Sequence, residues 1–225
     1  MDRSELQPVK CVLMQTPTAL PPGAVRPLEI VAGHLALDFA NTVDDPYGPG
    51  RVDYLATYPL TLVWSSRVGL LTDDRAERLD EIATQRPEAA ATALASIHRL
   101  RGIVERTFTD LITEPESVAR HWAALRPYVV EATRRVELGR TTTAYDLTWP
   151  DSDDLDAVVW PLAHSALDLL RSPQLRRLKR CAACPWLFLD GSKNGSRRWC
   201  TMNICGTDEK IRRYVSRRAE RRKLG

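Results

Sequence analysis

No apolar run in this sequence approaches the roughly 18 residues that span a bilayer. The stretch Val12-Leu13-Met14 is too short for the apolar core of a secretory signal, and Pro17, Pro21 and Pro22 follow it closely. Four of the five cysteines, Cys181, Cys184, Cys200 and Cys205, fall within 25 residues, which is not how a secreted disulfide framework spreads over a long chain. Catalytic signatures are also missing. There is no Gly-x-x-x-x-Gly-Lys loop, no Gly-x-Ser-x-Gly elbow and no paired-carboxylate pattern, and His34, His98, His121 and His164 are scattered without metal-binding spacing. Ser165 beside His164 is not a triad, because adjacent residues on a helix do not face each other. The expectation is a soluble cytoplasmic protein with reduced thiols and no enzymatic activity. Cys11, alone in a proline-rich stretch, reads as an incidental thiol.

What is present suffices for a globular protein. The 225 residues are 44% hydrophobic and 27% charged, with 15 Pro and 11 Gly; disordered and collagenous classes are excluded, and one or two domains fit the length. The formal net charge of +3 conceals two opposed parts. Residues 171–225 hold 16 Lys and Arg against 4 Asp and Glu, a net +12, and the preceding 170 residues hold 16 against 25, a net −9. An acidic body carrying a basic module suggests a polyanionic partner.

Along the chain, residues 1–27 carry five prolines and read as an extended leader. Gly33–Thr42 is an apolar run broken by Asp38 and Asn41, either a short helix or a buried strand, and Asp44–Gly50 is a loop. Pro59 opens a helix, Asp73 and Asp74 open a second to Gln85, and Pro87 a third to about Ile112. In the third, Leu94, Ile97, Leu100, Ile103, Val104, Phe108 and Leu111 recur at helical spacing. A further helix runs from Pro115 to about Arg126. Residues 135–149 alternate around Gly139-Arg140 as a hairpin. The acids before Leu155 start a last helix to about Leu170, which Pro161 should kink. The fold is predicted to be mainly α: a helical domain over 28–172 with one small hairpin, then a finger over 173–225.

Cys181-x2-Cys184-x15-Cys200-x4-Cys205 is the strongest signal. A Cys-x2-Cys knuckle presents two thiolates to one ion, and four thiolates leave no position for water, so one structural Zn2+ is expected. A redox Cys-x-x-Cys would need one pair, not two. Residues 186–190 and 196–199 are predicted to form a hairpin around 191–195. Cys205 precedes Gly206-Thr207-Asp208-Glu209, a helix start with Thr207 as cap. Knuckle, hairpin and helix make a treble-clef-like finger.

These residues resemble the CGNR zinc finger of bacterial regulators. The likeness rests on Cys181, Cys184, Trp186-Leu187-Phe188-Leu189-Asp190, Ser192, Asn194, Arg197-Arg198-Trp199-Cys200, Met202, Cys205-Gly206 and Lys210. Upstream, Leu37-Asp38-Phe39-Ala40-Asn41-Thr42, with Leu162–Ala166 and Asp168–Leu170, is similar to the ABATE domain that usually precedes this finger. The resemblance implies a stress-responsive transcription regulator with a DNA-binding finger. Where the finger's name has Asn-Arg, this chain has Thr207-Asp208, so a base contact made by that arginine does not carry over.

Lys210, Arg213, Arg217 and Arg221 recur at three or four residues and form a stripe, with Lys193, Arg197 and Arg198 added from the finger. Ile211, Tyr214 and Val215 are expected to pack the opposite face onto the finger. The stripe is predicted to meet double-stranded DNA. Asp38 and Asn41 either line an effector pocket or hold a buried turn; a small-molecule effector and a homodimer remain open as partners. RNA binding, with Trp186, Phe188 and Trp199 as stacking platforms if exposed, and a protein-interaction module are the alternatives.

Overall fold

The computed structural model describes residues 28–44, 51–211 and 214–216. The proline-rich leader, residues 45–50 of the anticipated loop, and Arg213, Arg217 and Arg221 lie outside them.

The 33–42 run resolves as a short helix, α1 (Leu35–Ala40), on whose inner side Ala36, Leu37, Phe39 and Ala40 are buried. His34 caps it, its Nδ1 accepting the Ala36 amide at 3.3 Å. Val43–Asp44 (β1) and Val52–Asp53 (β2) pair antiparallel across the loop. Pro59 stands in the first turn of α2 (Tyr58–Arg67), whose cap is Thr57. Thr72 caps α3 (Asp73–Gln85), with Asp73 and Asp74 at the positive end of its dipole. The long α4 (Pro87–Thr113) buries Ile97, Leu100, Ile103, Val104 and Phe108, the stripe its periodicity predicts.

Two helices differ from expectation. A 3-10 turn, Pro115–Ser117, precedes α5 (Val118–Arg135), which continues through Pro127 rather than stopping near Arg126. Leu125, Val129 and Ala132 are buried on both sides of the proline, so tertiary packing outweighs one missing backbone hydrogen bond. Pro161 falls in the first turn of α6 (Val159–Arg171), after a 3-10 turn at Leu155–Val158; there a missing N–H does little harm. Between α5 and α6, β3 (Glu137–Arg140) and β4 (Tyr145–Thr148) form the expected hairpin. Its turn is Thr141–Ala144, closed by Thr141 N–H to Ala144 O at 2.9 Å, not Gly139-Arg140.

Helix α6 is the central post, burying Trp160, Leu162, Ala163, Ala166 and Leu169 against α1, α4 and α5. The finger's hairpin is β5 (Leu178–Arg180) with β6 (Leu187–Leu189), so the knuckle lies in its turn. The hairpin expected after the knuckle, over 186–199, is thus replaced by one that spans it. Trp186, Leu187, Phe188, Leu189 and three of the zinc cysteines belong to the same buried cluster as the helical body. The finger is docked, not tethered.

Candidate metal centre and nucleic-acid interface

The four cysteine sulfurs of Cys181, Cys184, Cys200 and Cys205 all lie within 4.8 Å of one another. Cys184 and Cys200 are 3.6 Å apart, Cys200 and Cys205 3.5 Å. A tetrahedral ZnS4 centre with Zn–S near 2.3 Å needs sulfurs about 3.8 Å apart. The donor set, its spacing and the burial of three of the four residues therefore fit one structural zinc ion. Amides support the thiolates: Ala183 and Cys200 donate to Cys181 Sγ at 3.5 and 3.3 Å. The surrounding Cys184, Cys200 and Cys205 thiols, then the Ala183 amide, hold the Cys181 thiol well below its ordinary range.

Local chain geometry positions each ligand. Cys181 N–H to Trp186 O at 2.8 Å closes the knuckle, and Ala182 N–H to Arg198 O at 2.9 Å brings the returning chain beside it. Thr201, not Thr207, is the helix cap, its hydroxyl accepting the Ile204 amide at 3.2 Å. A wide turn, Met202–Gly206, then leads into helical residues 207–211 and 214–216. Cys205 thus sits inside the helical segment rather than before it.

The 190–199 loop is organised by Asp190, which has no exposed surface. Its Oδ1 accepts from the Ser192 amide and hydroxyl (2.9 and 2.6 Å), its Oδ2 from the Arg197 amide (2.9 Å) and Lys179 Nζ (2.7 Å). The Lys179 ammonium, then the Ser192 hydroxyl, hold this carboxyl well below the usual range. Lys179 also donates to the carbonyls of Gly195 and Arg197. The hairpin expected over 186–199 ends its first arm at Asp190 without assigning that carboxylate a role; an acid two residues before a serine is a signal for such a turn.

The anticipated DNA contacts among the described residues differ in exposure. Lys193, Arg198 and Lys210 are exposed, with Arg176 and Arg180 nearby in sequence and also exposed. Arg198 lies 5.3 Å over the Trp199 ring. Arg197 departs from the expectation of an outward cation. Its guanidinium donates to the carbonyls of Trp199 (2.9 Å), Cys200 and Val31 (3.4 Å) and lies 4.6 Å over the Phe188 ring. Ile211, Tyr214 and Val215 do not pack on the finger; they are 56%, 63% and 58% exposed.

Asp38 and Asn41 are both buried and spent on backbone. Asp38 Oδ1 accepts the Val31 and Ala32 amides, each at 2.9 Å, and burial, partly offset by these bonds, raises its carboxyl above the usual value. Asn41 pairs with the finger: its Nδ2 donates to Leu187 O and its Oδ1 accepts Leu187 N–H, both at 2.9 Å. Leu189 N–H to Ala32 O at 2.8 Å continues the seam. The apolar signature around α1 is therefore a socket for β6. A second network, unseen in the sequence, is the buried pair of Arg101 with Asp53 at 2.7 and 2.6 Å. Burial pushes Asp53 up, but Arg101 outweighs it and the carboxyl lies below its usual value.

No helix of the described residues is long and apolar enough to cross a membrane. Residues 177–218 match the CGNR zinc finger. Residues 33–173 match the family model ABATE, described as "Putative stress-induced transcription regulator". Comparison with curated proteins gives no match. The second model spans well over half of the chain, and the finger matched after it is the one that supplies the four-cysteine centre: the chain belongs to the ABATE family and carries a CGNR zinc finger behind its helical body.

Proposed function

We propose that this chain is a cytoplasmic transcription regulator that acts by binding double-stranded DNA through its finger, not by catalysis. The observation that carries the reading is the exposed set Lys193, Arg198 and Lys210 on a scaffold built around four clustered cysteines. Four thiolates and one Zn2+ lower the charge of residues 171–225 from +12 only to +10, against the −9 of the rest. A rigid cationic surface loses less ordering entropy on a phosphate backbone than a free basic tail does. Arg197 is removed from the contact set; Arg213, Arg217 and Arg221 are retained from the sequence stripe. The helical body grips β6 through Asn41 and Ala32, so whatever the body binds bears on the finger.

The RNA reading loses support, because Trp186 and Phe188 are buried and cannot serve as stacking platforms. A protein-docking role has one observation in its favour, the exposed apolar residues Ile211, Tyr214 and Val215. The test is a gel shift of the zinc-loaded chain with duplex DNA and RNA competitors. Replacing Lys193, Arg198 and Lys210 together by alanine should lower duplex affinity at least tenfold, and Arg213→Ala with Arg217→Ala should add to the loss. Unchanged affinity in all five substitutions, or preference for RNA, rejects the proposal.

A further inference from the structure

A cleft of about 730 Å3, partly open to solvent, lies between the helical body and the finger. One face of α4 forms its floor, since His98, Arg101, Gly102 and Glu105 recur at three- and four-residue spacing. Pro185, Trp186 and Leu187 of the finger form the opposite wall.

Gly102 is the first unexplained feature. Glycine inside a helix is destabilising relative to alanine, and this one lies in the middle of a 27-residue helix. Packing does not demand it: the nearest neighbours of a Cβ placed there are the tip atoms of Arg106, the closest at 3.2 Å. That tip is the far end of a long, exposed side chain, which can give by the few tenths of an ångström that a methyl group needs. What glycine does achieve at this position is room for the Arg106 guanidinium to lie across α4 at the cleft.

Charge is the second. Arg51, Arg101 and Arg106 all border the cleft, and Glu105 is the acid among its described lining residues. Asp53, behind the lining, is shared by Arg101 and Arg51 at 2.6 and 3.0 Å. Among the described residues, three guanidiniums thus stand against two carboxylates. Guanidinium forks match carboxylates in geometry. The finger's side of the same cleft is apolar, lined by Pro185, Trp186 and Leu187, and suits the apolar body of an organic anion rather than an inorganic ion.

We infer that this cleft binds a small organic carboxylate, its charged end at Arg51 and at the Arg106 guanidinium that Gly102 leaves room for, and its apolar body against the Pro185–Leu187 wall. The occupant bridges body and finger. Pro185, Trp186 and Leu187 follow Cys184 directly in the chain, and Leu187 is the residue clamped by Asn41, itself on the cleft wall. Of the two residues the sequence suggested for an effector pocket, Asn41 borders this cleft and Asp38 does not. The inference stands apart from the DNA reading, because binding is measured with no nucleic acid present.

Isothermal titration of the zinc-loaded full chain with benzoate, benzamide and inorganic phosphate tests it. Benzoate should bind saturably at one site per chain, with benzamide and phosphate at least tenfold weaker. Gly102→Leu fills the floor with a strong helix former; it should leave the melting temperature unchanged or raised and cut benzoate affinity at least tenfold. Arg106→Ala, at an exposed position, should do the same to affinity. No saturable benzoate binding overturns the inference, as does benzamide or phosphate binding equally well, or benzoate binding that survives both substitutions.

Discussion

Asn41→Ala removes the side chain that pairs both backbone groups of Leu187. Asn41 is 3% exposed and both of its bonds are 2.9 Å long, so water cannot simply replace it. The substitution strands one N–H and one C=O in a buried seam. An unsatisfied buried polar group costs about 1–3 kcal/mol. Relaxation of the seam recovers part of two such penalties, so a net loss of about 2–4 kcal/mol is expected. For a protein of this size, 1 kcal/mol corresponds to roughly 2–4 °C in melting temperature, which places the variant about 4–16 °C below the parent. Chemical denaturation of the zinc-loaded protein gives the energy, and hydrogen exchange gives the location. Amides of Leu187 and Leu189 should lose protection first, while those of α6 change least. A loss below about 0.5 kcal/mol, or exchange that rises equally throughout the helical body, refutes the claim that α1 is a socket for β6.

His34 caps α1 through an unprotonated Nδ1, and burial, partly opposed by Asp168, lowers its pKa below 6.5. Its contribution is therefore complete above pH 6.5 and is lost as pH falls through the lower folded value; His34→Ser, which also caps, should flatten the stability profile between pH 7 and 5. Arg101→Met removes the buried partner of Asp53 and leaves its carboxylate to the exposed Arg51 and the Leu55 amide; it should cost about 1–3 kcal/mol in urea unfolding, with much of it restored by adding Asp53→Leu. Chelation of zinc should release one equivalent of metal and expose Trp186 and Trp199, seen as a red shift in fluorescence, while the far-ultraviolet helix signal of the body largely persists. Metal affinity should fall with pH, because each thiol must lose a proton to bind.

Much of this structure was legible before any coordinates. The stripe on α4 and the Cys-x2-Cys-x15-Cys-x4-Cys spacing are local patterns, and each corresponds to one physical requirement, an apolar helix face or a tetrahedral thiolate set. What stayed hidden depends on partners far along the chain. Asn41 and Leu187 are 146 positions apart and Arg101 and Asp53 are 48 apart; no periodicity encodes such pairings. Arg197 misled for a related reason: a basic residue in a basic segment carries no sign of whether its guanidinium faces solvent or three carbonyls. Pro127 misled because propensity is local, whereas the burial of Leu125, Val129 and Ala132 that carries α5 past it is tertiary. The hairpin of the finger was displaced because β5 lies upstream of the knuckle, where Leu178-Lys179-Arg180 reads as basic linker rather than strand.

The central claim, a zinc-dependent finger that presents basic residues to DNA, is tested most directly by fluorescence anisotropy with a labelled duplex over a range of salt, with and without bound zinc. The zinc-loaded chain should bind with a log–log salt slope steeper than about −2.5, the signature of three or more neutralised phosphates, and chelation should weaken binding at least tenfold. Binding absent at low salt, or equal with and without the metal, contradicts it.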